Sequence, residues 1–389
     1  MSLELTQLTE QIQAMGTTVA GHCRQLADQV ALAHSWLRQY AHEGASLRPV
    51  AAGFHAAIPT DEPLDATYPL PSPPAHYTVI AADGSQIQPD RHGAALYYLI
   101  NIGSVVYRHG SGQAPQVASH PTLGYVNTDL YEDGLLVSGN LLDVRRDLAE
   151  VTRLANLCAD EPPGMTVALV DGTLLLWVLE ERPPDWRAAK IQMYLAQMER
   201  IRASGAALAA FASRPRRAEV TRLLHLANMG GELDQARRTP NPLEHLPDRM
   251  VFEALLPPGS RSALFVSPAR SNREGYEEAG HSVHFCYLNL APAGRPPVVA
   301  RIEVPAWVAD DPATLALVHA VVVEQARVVG DYPYALARAD EMAFVSTSER
   351  NALEEMIIAS LWRAGVRPAY SPKKYYKTLT RQGKRRYRG

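Results

Sequence analysis

Cysteine is scarce in this chain: the three present, Cys23, Cys158 and Cys286, lie far apart. They are too few for a disulfide framework or a Cys-rich zinc site and suit a reducing compartment, so the cytoplasm is the expected location. No stretch reads as long and apolar enough to span a bilayer, and no membrane partner is expected. The opening MSLELTQLTEQIQ lacks the basic and then apolar sections of a signal peptide. The phosphate-cradling pattern GxxxxGK[ST] is also missing, which weighs against an ATPase.

What is present is the composition of an ordinary globular protein. With 389 residues, 47% of them hydrophobic, the chain can bury a sizeable core. Its net charge of −3 conceals an asymmetry. The last stretch, SPKKYYKTLTRQGKRRYRG, holds eight of the 38 basic residues and none of the 41 acids. Such a tail is either a solvated end or a binder of single-stranded nucleic acid, with Lys373 and Lys374 on phosphates and Tyr375 and Tyr376 stacking on bases.

Punctuation divides the chain into an N-terminal helical segment (1–43), a Pro-rich linker or wrapping segment (44–76), a folded region (77–370) and the basic tail (371–389). In the folded region YTVIAA reads as a strand ending at Asp83. AALYYLINIGSVVYRHG reads as two strands broken near Asn101–Gly103. LLDVRRDLAEVTRLANLCA reads as a helix with Leu141, Val144, Leu148, Val151 and Leu154 on one face. A strand TVALVD, a helix WRAAKIQMYLAQMERIRA, a strand AALAAFAS and a helix RRAEVTRLLHLA follow. The order β-β-β-α-β-α-β-α predicts an α/β fold of ribonuclease H-like (RNase H-like) topology, a mixed sheet flanked by helices with further β/α elements after it.

That topology gives meaning to a repeated feature, an apolar strand running into an acid and a glycine: TVIAADGS at Thr78–Ser85 and TVALVDGT at Thr166–Thr173. Asp-Gly is also a common turn signal, but two in matching contexts with an acidic helix between them point to a shared site. Asp83 and Asp171 would supply two carboxylates, and the helix offers Asp143, Asp147 or Glu150 as a third. Clustered carboxylates repel one another unless a hard cation such as Mn²⁺ or Mg²⁺ joins them. Two such ions about 4 Å apart suit phosphodiester hydrolysis. HSVHFC, with His281, His284 and Cys286, alternates with apolar residues and reads as a strand rather than a metal site. Arg214, Arg216 and Arg217 open a helix, where side chains and backbone N–H groups could hold DNA phosphates.

The segments VIAADGSQ, LVDGTLL, FASRPRRAEVTRLL and GDYPYALARADEMAFVS, in that order from Tyr77 to Arg363, resemble the NurA family of nucleases. The resemblance implies a toroidal homodimer with an RNase H-like core that works with the hexameric ATPase HerA in DNA end resection. It also implies Mn²⁺-dependent action on single-stranded DNA and on duplex ends, 5′ to 3′. Position by position it assigns Asp83, Glu150 and Asp171 as metal ligands and matches Tyr332 to the family's catalytic tyrosine. Asp340 stands where a histidine is common, and as an oxygen donor it is a candidate ligand. Two other readings predict different behaviour: a non-catalytic DNA-binding adaptor for a translocase, and an actin-like ATPase.

Overall fold

The computed structural model describes residues 5–176 and 182–367, and within them the chain forms two compact units that interleave in sequence. Among the described residues the first comprises 5–74, 171–175 and 207–333, and the second comprises 75–170, 176, 182–206 and 334–367. Both are built of strands flanked by helices, so the mixed α/β class expected from the element order is what forms.

The first unit opens with α1 (Thr9–Gln39), one helix of 31 residues. Its later part buries Ala33, Trp36 and Leu37 against Val220, Leu223 and Leu224, while Ile12, Met15 and Val19 in its first half are exposed. Residues 44–76 contain α2 (Gly44–Ala51) and two short strands, β1 (Ile58–Pro59) and β2 (Thr67–Tyr68). Proline lacks the N–H a ladder needs and so belongs at sheet edges. Accordingly β1, with Pro59, borders β11 (Phe265–Val266) alone among the described residues, and β2 pairs β10 (Arg261–Ser262). The ladder continues antiparallel from β11 through β12 (Val283–Asn289) and β13 (Val299–Pro305) to β9 (Ala207–Ala212). HSVHFC thus runs into a strand, as its alternation requires.

Around this ladder lie α6 (Glu219–Asn228), α7 (Leu233–Arg238), α8 (Asp248–Leu255), α9 (Ala306–Ala309) and α10 (Pro312–Val329). In length and composition α10 could cross a bilayer, which corrects the reading that no stretch could. Half of it is buried, including Val318, Val321, Val322 and Val323, and this accounts for its apolar sequence.

The second unit carries β3 (Tyr77–Ile87), β4 (Tyr98–His109) and β5 (Gln116–Gly124) in antiparallel order, with β8 (Thr166–Asp171) added in parallel to β3. A small hairpin of α3 (Asn127–Leu130), β6 (Tyr131–Glu132) and β7 (Leu135–Leu136) leads into α4 (Asn140–Ala159). After β8 come α5 (Pro184–Ala203), α11 (Tyr334–Ala343) and α12 (Thr347–Arg363). Three antiparallel strands, a helix and a parallel fourth strand have the order of the expected RNase H-like start, but the two strands expected within AALYYLINIGSVVYRHG are the single strand β4, and the third strand is β5, which the sequence reading did not include. The inward face of α4 holds Leu141, Val144, Leu148, Val151 and Leu154, all buried.

Two glycines that resemble punctuation in the sequence lie inside continuous strands. Gly103 does not break β4, which is continuous; a Cβ there would lie 2.2 Å from the backbone oxygen of Ala339, so glycine lets α11 rest on the strand. Likewise β3 does not end at Asp83 but runs to Ile87. A Cβ at Gly84 would lie 2.5 Å from both Arg146 Cγ and Glu150 Oε1, so this glycine admits α4.

Candidate active site

Asp83 is half-buried within β3, and its Oδ1 accepts the N–H of Gly84 at 2.8 Å. Side chains alternate along a strand. Gln86, two residues after Gly84, donates to Asp143 on α4 at 2.6 Å. Ser85, on the alternate face with Asp83, donates to the carbonyl of Ala343 on α11 at 2.5 Å. Glu150 therefore reaches the strand at the residue directly after Asp83, from the α4 side, and Asp83 belongs to the face that carries α11.

The acids of α4 share one cation. Arg146 stands 3.8 Å from Asp143, 3.1 Å from Asp147 and 3.2 Å from Glu150. Burial pushes the Asp147 carboxyl above its ordinary pKa, against the pull of Arg146. Among the described residues no three His, Cys, Asp or Glu side chains are gathered as a metal-holding group. The donor chemistry nevertheless suits a hard divalent ion, since the helix presents three carboxylates to a single guanidinium.

Asp171 ends β8. The register pairs Ala82 with Val170, one residue before each Asp-Gly. Beyond Asp171 the chain is fixed by bonds inside the first unit. Gly172, at φ +90°, donates to Phe211 O at 2.8 Å, which needs a residue without a Cβ. Thr173 Oγ1 and the Leu174 N–H both donate to Glu303 Oε2, at 2.6 and 3.0 Å. Glu303 is held by Arg301 at 2.9 Å, and Arg301 also pairs with Glu219; all three are buried. The Arg301 guanidinium lies 3.6 Å from the centre of the Phe285 ring.

Tyr332 packs edge-on against Phe211, and with Arg214 it lines a cavity of about 200 Å³ in the first unit. Arg214 adopts a left-handed backbone at φ +46°. Asp340 is exposed on α11, next to the Ala339 carbonyl that rests on Gly103, the register partner of Asp83. Arg216 and Arg217 are exposed before α6. Their expected helper, the amino end of that helix, is taken: the buried Asp248 accepts the N–H groups of Glu219, Val220 and Thr221 at 2.9–3.0 Å and the hydroxyl of Tyr287. Backbone N–H groups of α6 thus cannot hold a phosphate, which corrects that part of the reading. Lys373, Lys374, Tyr375 and Tyr376 lie outside the described residues.

Sequence reasoning passed over Arg146, Asp248, Arg301 and Glu303. A signal was available for the last two, charges two apart in the otherwise apolar VARIEVP. Cys158 and Cys286 are free, and burial pushes their thiols up to about 12 and about 11, so neither is a ready nucleophile.

Residues 77–345 match the family model of the NurA domain. No curated protein matches the chain significantly. Among solved structures, the NurA nuclease from Sulfolobus solfataricus matches 89% of this chain and 98% of its own, at 11% identity and a TM-score of 0.50. A structure of NurA bound to dAMP and manganese matches 92% of this chain and 98% of its own, at 12% identity and a TM-score of 0.39.

Proposed function

Because this chain belongs to the NurA family, we propose that it is a metal-dependent DNA nuclease, with Mn²⁺ or Mg²⁺ held by Asp83, Glu150 and Asp171; the β3–β8 register stops at Ala82, and Glu150 would come round that open edge at Gly84, from the α4 side, to meet Asp83. The observation that supports the reading is the parallel register of β3 and β8, in which Ala82 and Val170, the residues before the two Asp-Gly pairs, are partners. A bound divalent ion would supply Lewis acidity and an activated water for phosphodiester hydrolysis. Asp83, inside its strand, is held rigid by the ladder. Glu150 would give oxygen from α4, in exchange for its pairing with Arg146. Asp171 is positioned by the loop that Glu303 ties down. Asp340, on the helix covering Asp83's face of the strand, is a further oxygen donor.

Arg214, Arg216 and Arg217 would contact strand phosphates through their side chains, and Tyr332, beside Arg214, would orient the strand. The proposed substrates are single-stranded DNA, cut internally, and single- or double-stranded ends degraded 5′ to 3′. The proposed setting is DNA end resection by a homodimer working with a HerA-like hexameric ATPase. The exposed apolar row of Leu5, Ile12, Met15 and Val19 is a surface offered for that assembly. Removing residues 5–24 should weaken dimerisation in light scattering or capture of the ATPase; unchanged assembly by both measures would reject that role.

Labelled single strands and duplexes incubated with Mn²⁺, Mg²⁺ or EDTA test the central claim. Cleavage is expected with metal only, and it is expected to vanish in Asp83→Asn and Asp171→Asn. DNA binding without cleavage in either metal would make the chain an adaptor, and ATP hydrolysis by the chain alone would favour the actin-like reading.

A further inference from the structure

The first unit contains a cavity of about 770 Å³ between the turn before β1 and the segments that flank α6 and α7. Its lining is strongly one-sided in charge. Arg216, Arg222 and Arg237 face it with His55 and His245, against a single acid, Glu244. Arg216 has no hydrogen-bond or ion-pair partner among the described residues. The other two arginines spend little of their charge: Arg222 Nη1 donates to the His55 carbonyl at 3.4 Å, Arg237 Nη2 to the Gly53 carbonyl at 2.9 Å, and Arg237 lies 3.9 Å from the exposed Asp234. Guanidinium groups with free donors, gathered around a cavity, fit phosphate oxygens.

A second observation narrows the ligand. His225 is fully buried in the wall of this cavity, and its Nε2 lies 3.1 Å from the Ala236 carbonyl. A carbonyl only accepts, so Nε2 carries the proton and Nδ1 presents a lone pair. That Nδ1 is buried without a partner, a state that costs free energy until a donor arrives. The Phe54 ring lies 5.9 Å from the imidazole and also lines the cavity. His55 and His245 hold left-handed backbones, at φ +51° and +66°, in the two segments bordering the cavity.

From this combination we infer that the cavity binds a nucleotide, its phosphate on Arg222, Arg237 and Arg216 and an N–H or O–H of its base or sugar directed to His225. Inorganic phosphate would satisfy the arginines but not the histidine. The nucleotide is either free or one unit of a DNA strand; the second source rests on the nuclease reading above, and the first does not.

The test uses the full chain in EDTA, so that no metal-dependent cleavage intervenes. Calorimetry with AMP and with inorganic phosphate, and anisotropy of a labelled twelve-nucleotide oligo(dA), are compared for the wild type, Arg222→Ala/Arg237→Ala, Arg222→Lys/Arg237→Lys and the distant control Arg327→Ala. The double Ala variant should bind AMP, the oligonucleotide or both about tenfold more weakly or worse. The Lys variant should lie between, and the control should match the wild type. Weakening of both probes identifies a pocket for any nucleotide, and weakening of the oligonucleotide alone identifies a pocket for the strand. The inference is overturned if the wild type binds neither probe, if the Ala variant binds both unchanged, if Lys rescues nothing, or if inorganic phosphate binds as tightly as AMP. Loss of cleavage by Asp83→Asn is a separate result, because these readouts need no metal.

Discussion

Two arginines in this chain each stand among acids, and they do opposite things. Arg301 is buried, shares its guanidinium between Glu219 and Glu303 at hydrogen-bond distance, and through Glu303 grips the backbone after Asp171. Arg146 is about a third exposed and spreads over Asp143, Asp147 and Glu150 at 3.1–3.8 Å. A closed, desolvated ion network is costly to break because its remaining charges stay buried, so it serves as a fixed anchor. A partly hydrated one with more carboxylates than cations can exchange its arginine for another cation at small cost.

The comparison breaks most visibly at Arg301. Arg301→Ala should destabilise the protein by about 3–5 kcal/mol in denaturant melts, because it strands Glu219 and Glu303 in the core. A loss below about 1 kcal/mol would show that the network is no anchor. Next in size is the proposed metal site: Asp83→Asn should cut metal-dependent cleavage by at least about a hundredfold, equivalent to about 2.7 kcal/mol of barrier, with the melting temperature unchanged. Cleavage within a few-fold of wild type from the folded variant would remove Asp83 from the site.

A smaller effect concerns Asp248, whose burial pushes its pKa up to about 6 from an ordinary 3.8 despite the N–H groups it accepts. The folded state then holds this proton more tightly than the unfolded state does. Its contribution to stability is complete below about pH 4 and is lost as pH rises to about 6. Asp248→Asn should flatten that part of the stability-pH curve, and an unaltered slope would contradict the assignment. The smallest effect is that of Arg146→Gln: in EDTA it should cost under about 1 kcal/mol. It should also enlarge the stabilisation produced by added Mn²⁺, since the guanidinium no longer competes for the carboxylates; an equal or smaller Mn²⁺ shift would argue against exchange of cations there.

Local pattern carried much of this. The 3.6-residue spacing of Leu141, Val144, Leu148, Val151 and Leu154 placed α4, and the apolar runs before Asp83 and Asp171 placed β3 and β8, because burial on one face or both is written directly into residue order. The glycines were harder to read. Gly84 and Gly103 look like turns in sequence, yet both lie in continuous strands, and what they accommodate, Glu150 and the Ala339 carbonyl, comes from helices distant along the chain. Proline in residues 44–76 signalled irregular backbone but gave no hint that β1 and β2 would find partners some 200 residues later.

Residue order was enough for the helix α4, the strands β3 and β8 with their Asp-Gly pairs, and the family. Three features needed the three-dimensional structure: Asp248 occupies the amino end of α6, Arg301 meets Glu219, and Glu303 holds the loop after Asp171. The physical reason is range. Periodicity and propensity act between near neighbours, whereas the partner of a buried charge is whichever group the fold brings within about 3 Å, and that choice leaves no local trace.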